Sequence, residues 1–364
     1  MSNTPVTEHH EVVVVGGGQA GLAIGYHLAQ QGADFTILEA ADRPAAAWRD
    51  RWDSLRLFTS ARYDSLPGLA FPGEPDRYPT RDEVADYLTD YASRLDLPIE
   101  LSSAVHAVRR ENGGYRVELH DRAYEADQVV IATGPFQTPF VPALAEQLPD
   151  HVVHLHSTAY RSPASLPEGR ILVVGGGNTG FQIADELAGS REVHLSIGSR
   201  QTPLPQRIAG RDLFWYLDRT GLLSKTTESR IGRRMSGRDT LIGSTPRGLR
   251  KRGVQTHGRT VDATGSTLRF DDGTQVDVDG VVWATGFRTD HSWIDVPVFD
   301  ESGRPVHRRG VTESAGLYFL GLSWQHTRGS ALLGWVKDDA EHIAREIASF
   351  QAREGDPELI AGAS

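Results

Sequence analysis

Two glycine patterns carry the chemistry that is legible in this chain. Residues 12–15, all valine, run into Gly16-Gly17-Gly18-Gln19-Ala20-Gly21. Residues 171–174 (Ile-Leu-Val-Val) run into Gly175-Gly176-Gly177-Asn178-Thr179-Gly180. Each is an apolar run, then G-x-G-x-x-G, then a helical apolar pattern: Leu22, Ile24 and Leu28 in one, Phe181, Ile183, Ala184 and Leu187 in the other. The first glycine allows a tight turn, the second lets backbone approach a pyrophosphate, and the third lets helix and strand pack closely. The helix then offers free N–H groups and a positive dipole end to the phosphates. One copy is weak evidence of a dinucleotide site; two copies in the same strand–turn–helix context are strong. Gly16, Gly18, Gln19 and Gly21 are expected at one nucleotide, and Gly175, Gly177, Asn178, Thr179 and Gly180 at another.

The residue that reads the adenosine ribose stands at the end of the next strand. In the first unit this is Glu39, 18 positions after Gly21. A carboxylate there accepts both ribose hydroxyls and repels a 2′-phosphate. The equivalent position after Gly180 is Gly198, followed by Ser199 and Arg200. Losing the acid and gaining a guanidinium suits a 2′-phosphate. The first site is therefore read as one for FAD or NAD and the second as one for NADPH, with Ser199 and Arg200 on its phosphate. Two such sites in one chain point to electron transfer, most simply hydride from NADPH to a bound flavin.

The elements that position these sites repeat as well. The strand ending in Ala132-Thr133-Gly134 is echoed by the one ending in Ala284-Thr285-Gly286. Thr133 and Gly134 are expected at FAD, Thr285 and Gly286 at NADPH. Strand candidates precede each: 104–109, 115–120 and the run into Ala132, then 260–264, 267–270 and 275–278, with Asp272-Gly273 as a turn. After Gly286 no third motif follows, so the second unit reads as an insertion. The expected fold is α/β: two Rossmann-like dinucleotide-binding domains, for FAD and NADPH, the second inserted in the first. Its parts are 1–160, 161–286 and 287–364. The first ten residues and the tail from about Glu354 are expected to be mobile.

Composition excludes several classes. The chain has 364 residues and no cysteine, so it has no disulfide, thiolate metal site, iron–sulfur cluster or dithiol redox pair. A net charge of −10 argues against nucleic acid as a partner. No run of about 18 apolar residues could span a membrane, and the N-terminus has no apolar signal core, so a cytoplasmic location is expected. A G-x-S-x-G strand–turn–helix element is absent, which removes support for hydrolase chemistry. His151, His154 and His156 lack the further ligands of a known metal site, so no metal is expected. Between Lys225 and Arg259 stand ten Lys or Arg and two acids. That segment is either a solvated helical insert or a basic surface that draws in NADPH or an acidic partner. A homodimer is only a prior.

From about Val12 to about Ile347 the chain resembles the flavin-containing monooxygenase family in a compact bacterial form. The family signature Phe-x-Gly-x-x-x-His-x-x-x-Tyr/Phe keeps its second half as His156 and Tyr160, while Asp150 and Val152 replace its Phe and Gly. The resemblance implies that His156 and Tyr160 lie at NADPH. The segment 48–59 resembles the loop that packs on the flavin, which implies FAD contacts from Trp48, Arg56, Leu57 and Thr59; Val105 is a further expected contact. The segment 322–330 resembles the stretch beside the flavin pyrimidine ring and brings Gln325 to FAD. Ser330 can also cap a following helix.

Many family members place an Asn near flavin C4a. This chain has only Asn3, Asn112 and Asn178, none in that loop. Gln325, Tyr63 or the nicotinamide itself is left to steady an oxygen adduct. The activity implied is NADPH-consuming monooxygenation, in which a C4a-peroxyflavin formed with O2 oxygenates a small nitrogen or sulfur nucleophile. The alternatives are an FAD-dependent NAD(P)H reductase without oxygenation, or a flavin redox sensor.

Overall fold

The computed structural model describes residues 6–236 and 240–354. Its largest sheet has eight strands, centred on Val6–Val15 and Arg122–Ile131, which pair in parallel over their length. Phe35–Leu38 and Ile99–Glu100 continue the parallel sheet on one side. Val12, Val13 and Val14 have 0% exposure, as β-branched strands covered on both faces should. On its other edge Arg122–Ile131 serves two further partners. Its first half joins an antiparallel meander with Ala107–Glu111 and Gly114–Glu118, and its last three residues pair in parallel with Leu317–Phe319. The chain returns to the first sheet after the second unit with Ile294–Asp295, which pairs in parallel with Ala107–Glu111, so the second unit is inserted in the first.

The second sheet has five parallel strands in the order Gln255–His257, Glu192–Ser196, Arg170–Val174, Gly280–Trp283, Val153–His156. Its own antiparallel meander is Thr260–Thr264, Thr267–Phe270 and Gln275–Asp277. The strand Val153–His156 precedes residue 161, where the second unit was expected to begin. The glycine motif marks the sheet's central strand, not its first in sequence, and an edge strand comes earlier. The chain crosses between units in a two-stranded ribbon, Thr138–Pro139 against Phe287–Arg288. Arg51 lies over Phe136 and Phe287 at 5.2 and 5.3 Å and pins that ribbon to the 48–59 segment.

Two local expectations change. The first is the N-terminus: residues 6–10 are not loose but pair with residues 122–126. Residues 1–5 and the tail beyond 354 lie outside the described residues. The second is the helix start after Ser330. Thr327 caps a single 3-10 turn, Arg328–Ala331, and the long helix begins only at Val336. Ser330 Oγ instead accepts from the backbone N–H groups of His326 and Thr327. Helix Val336–Glu354 buries Val336, Ala340, Ile343, Ala344 and Ile347, a helical stripe, in the core shared with helix Gln19–Gln31.

Gly334 stands in the gap before that helix. A Cβ there would stand 1.5 Å from the Tyr63 carbonyl oxygen, so only glycine lets the two segments touch. Gly334→Ala is expected to destabilise the fold by about 3 kcal/mol, read as a lowered denaturant midpoint.

Candidate functional site

The two glycine motifs fold identically. A Cβ on Gly21 would meet the Gly16 carbonyl oxygen at 1.9 Å, and one on Gly180 would meet that of Gly175 at 2.1 Å. The first glycines have φ of +110° and +143°, and their added Cβ atoms would strike the carbonyl oxygens of Ala132 and Ala284. This is why Ala-Thr-Gly repeats: each strand end abuts the first glycine of its own motif. Gly18 and Gly177 have open space where a Cβ would stand. Both are N-caps without a side-chain hydrogen bond, so helices Gln19–Gln31 and Asn178–Leu187 present uncapped N–H groups to that space. The cradles fit dinucleotide phosphates.

Glu39 is held at the first cradle by N–H donation from Gly17 at 2.8 Å and from Ala41 at 2.9 Å, leaving lone pairs for ribose hydroxyls. At the second cradle Ser199 and Arg200 are exposed just beyond strand Glu192–Ser196. Arg200 has no partner among the described residues. Arg259 donates to the Gly198 carbonyl at 2.8 Å and brings a second guanidinium to the same end. Both strand ends, 132–134 and 284–286, run into the crossing ribbon. Gln182 on the second unit's helix bonds the backbone of Arg56 in the first unit, donating to its carbonyl at 3.2 Å.

This geometry has relatives. A profile of the family described as pyridine nucleotide-disulphide oxidoreductase matches residues 13–207. An uncharacterized oxidoreductase, CzcO-like, from Geobacillus kaustophilus (strain HTA426) is 45% identical over 340 residues, 93% of this chain and 98% of the relative. The chain belongs to the pyridine nucleotide-disulphide oxidoreductase family. A flavin-containing monooxygenase from Stenotrophomonas maltophilia matches in structure with a TM-score of 0.79 at 29% identity, covering 94% of this chain and 99% of that one. A probable indole-3-pyruvate monooxygenase, YUCCA9, of Arabidopsis thaliana is 28% identical over 386 residues, 94% of this chain and 90% of its own. The resemblance read from the sequence therefore holds, and the protein is a flavin-dependent oxidoreductase. The family implies FAD and NAD(P)H. Its name includes disulphides, but a chain without cysteine has no thiol to exchange with one.

The segment 48–59, expected to pack on a flavin, packs into the core. Leu57 and Thr59 are buried and Trp48 is partly buried against the core. Helix Arg81–Arg94, started by a capping box of Thr80 and Glu83, supports the loop beyond them. Tyr87 donates to the Leu69 carbonyl at 2.8 Å and Tyr91 to that of Pro67 at 2.7 Å. Val105 is half-buried against the meander core. Gln325 is 4% exposed; its Oε1 accepts from the Leu322 N–H at 3.2 Å and its Nε2 is buried with no partner. An orphaned donor there fits a flavin ring carbonyl. Tyr63 stacks on Trp335 at 5.6 Å, and burial together with Asp218 and Asp212 raises its pKa, so it stays protonated.

Several expected contacts are used otherwise. Gln19 donates to the Ala331 carbonyl at 2.9 Å and ties the first helix to the C-terminal segment. Arg56 is exposed, with its guanidinium on the Tyr78 carbonyl. Asn178 spends its side chain on strand Thr240–Ile242, accepting from the Ile242 N–H and donating to the Thr240 carbonyl. Thr179 is half-buried in the first turn of its helix. Thr133 accepts from Gln137 Nε2, and Thr285 donates to the Phe140 carbonyl, so both hydroxyls brace the strand ends. Gly134 and Gly286 turn the chain there, with φ of +67° and +83°.

His156, expected at NADPH, is 7% exposed and bonds the Gly286 carbonyl at 3.0 Å through Nε2. Burial lowers its pKa. Tyr160 is fully buried and donates to Glu186 at 2.8 Å, so it supports the core and cannot line a nucleotide. Tyr160→Phe is expected to cost about 1–2 kcal/mol of stability with KM for NADPH unchanged, as denaturation and steady-state kinetics would show. Among the described residues no group of three ligating side chains gathers for a metal.

Sequence reasoning missed Ser60, Asp64, Asp212, Phe214, Trp335 and the placement of Arg259. Ser60 and Asp64 flank the already suspected Tyr63. Nothing in the sequence signals that Asp212, far along the chain, joins them.

Proposed function

We propose that the protein is an NADPH-consuming monooxygenase that oxygenates a small nitrogen or sulfur nucleophile. The observation that carries this reading is the pair of matched cradles in one chain, one with Glu39 and the other with Arg200 and Arg259 near where the acid would stand. Likeness to the Stenotrophomonas enzyme along 94% of the chain supports it. FAD, when bound, supplies two-electron transfer between NADPH and O2.

The chain's residues bind, orient and shield. The uncapped helix Gln19–Gln31 takes the FAD pyrophosphate and Glu39 its ribose. Gln325 Nε2 donates to the flavin ring. Helix Asn178–Leu187 takes the NADPH pyrophosphate, and Arg200 with Arg259 grips the 2′-phosphate. Phe58, Tyr63, Phe214 and Trp335 form an apolar wall that excludes water from the reacting end.

The experiment is turnover under 18O2 with a tertiary amine and with a thioether. One labelled oxygen in the product per NADPH consumed supports monooxygenation. NADPH consumption that appears wholly as hydrogen peroxide, with no labelled product, favours a reductase or a sensor instead.

A further inference from the structure

Three buried polar atoms without hydrogen-bond partners gather where the flavin-packing loop meets the segment inserted in the second unit. They are Ser60 Oγ, Asp64 Oδ2 and Asp212 Oδ2. Their residues are 0%, 1% and 9% exposed. The other carboxylate oxygens are fixed: Thr59 Oγ1 donates to Asp64 at 2.6 Å, and the Phe214 N–H donates to Asp212 at 2.7 Å. Phe58 stacked on Phe214 at 5.9 Å walls the place with apolar surface.

The charged and titratable groups facing Asp64 are Asp212, Arg77 and Tyr87. Those facing Asp212 are Arg207, Tyr78, Tyr63 and Asp64, and the Tyr78 and Ser60 hydroxyls turn toward it and partly oppose the upward push of burial. Arg77 is already paired with Glu83 at 2.6 Å. Arg207 is spent on the Tyr78 hydroxyl and the Asp76 carbonyl. Neither carboxylate owns a countercharge, and two that sense each other in such a place cannot both ionise at little cost.

We propose that Asp64 and Asp212 hold one proton between them and supply the proton consumed when NAD(P)H reduces dioxygen. The idea rests on the oxidoreductase reading but not on oxygenation. In oxygenation a nucleophile S, O2, NADPH and one proton give SO, NADP+ and water. The O–O bond breaks and one oxygen takes the lone pair of S. The other leaves as water, carrying the hydrogen delivered as hydride and the proton from the pair. If O2 is only reduced, NADPH, O2 and one proton give NADP+ and hydrogen peroxide. Either way one proton enters, and the pair reloads from solvent.

Burial, with Asp212 adding to it, pushes Asp64 up to about 7 from an ordinary 3.8. The folded chain thus binds a proton that the unfolded chain has released between those values. Stability from this group falls as pH rises from about 4 to about 7 and is level above.

The experiment compares holoprotein of wild type, Asp64→Asn and Asp212→Asn. It reads the unfolding midpoint against pH, and the rate of NADPH-dependent O2 consumption against pH. In wild type the midpoint should fall from about pH 4 and level off near pH 7, and the rate should show a limb near pH 7. Asp64→Asn should abolish both limbs, and Asp212→Asn should move both down by about one pH unit or more. A limb in O2 consumption that is the same in all three proteins overturns the proposal, even if the stability limb moves, because the pair would then be structural only. Should the variants not fold, infrared titration of wild type decides. A protonated carboxyl band that survives above about pH 5 and fades near pH 7 supports a held proton, and its absence overturns it.

Discussion

Arg200→Ala is expected to raise KM for NADPH about 10- to 100-fold while leaving KM for NADH within about twofold. Arg200 is exposed and unspent at the end of strand Glu192–Ser196, where a ribose-reading acid would otherwise stand. A guanidinium that grips a 2′-phosphate gives charge-assisted bonds of about 1.5–3 kcal/mol, lost only with the phosphorylated cofactor. Arg259 reaches the same turn through the Gly198 carbonyl. Arg259→Ala should act in the same direction, and the double variant should fall short of the product of the two, since both address one phosphate. Steady-state kinetics with both nicotinamide cofactors check this. Equal losses with NADH and NADPH would mean that Arg200 serves the fold of the turn and not the phosphate.

The second large effect separates the two cradles. Gly175→Ala is expected to give a protein that purifies yellow but whose flavin NADPH reduces at least about 100-fold more slowly, whereas Gly16→Ala should purify without flavin. Both glycines have positive φ, and an added Cβ would stand 2.1 Å from the Ala284 carbonyl oxygen in one and 2.7 Å from that of Ala132 in the other. Each alanine must therefore displace the turn that shapes its own phosphate cradle. The two cradles belong to different sheets, so the damage should stay local. Flavin absorbance of the purified variants, followed by anaerobic mixing with NADPH, reads both effects. Flavin lost from Gly175→Ala and kept in Gly16→Ala would reverse the assignment of the sites.

What the sequence made legible was backbone chemistry. A glycine that must approach a carbonyl or a phosphate leaves no substitute, so Gly16, Gly21, Gly175 and Gly180 announce their geometry, and Glu39 and Arg200 follow just beyond the end of the next strand. The side chains near the motifs were less legible. Gln19, Asn178 and Tyr160 stand where a nucleotide contact is plausible, yet each is taken by a tertiary partner: the Ala331 carbonyl, strand Thr240–Ile242 and Glu186. Such partners come from far along the chain and leave no local pattern. The same holds for the reacting end. Tyr63 and Gln325 could be suspected from their segments, but the wall of Phe58, Phe214 and Trp335 and the buried Asp64 and Asp212 exist only once the inserted segment folds back on the loop. The unit boundary was misplaced for a related reason, since the glycine motif marks a sheet's centre and not its edge.

The account rests most directly on two cofactors working in one chain, and anaerobic titration of the purified protein with NADPH tests that. The account predicts a yellow protein with one bound FAD that bleaches with one equivalent of NADPH, and bleaches more slowly with NADH. A protein that carries no flavin and cannot be loaded with it, or whose flavin NADPH leaves oxidised, would contradict it.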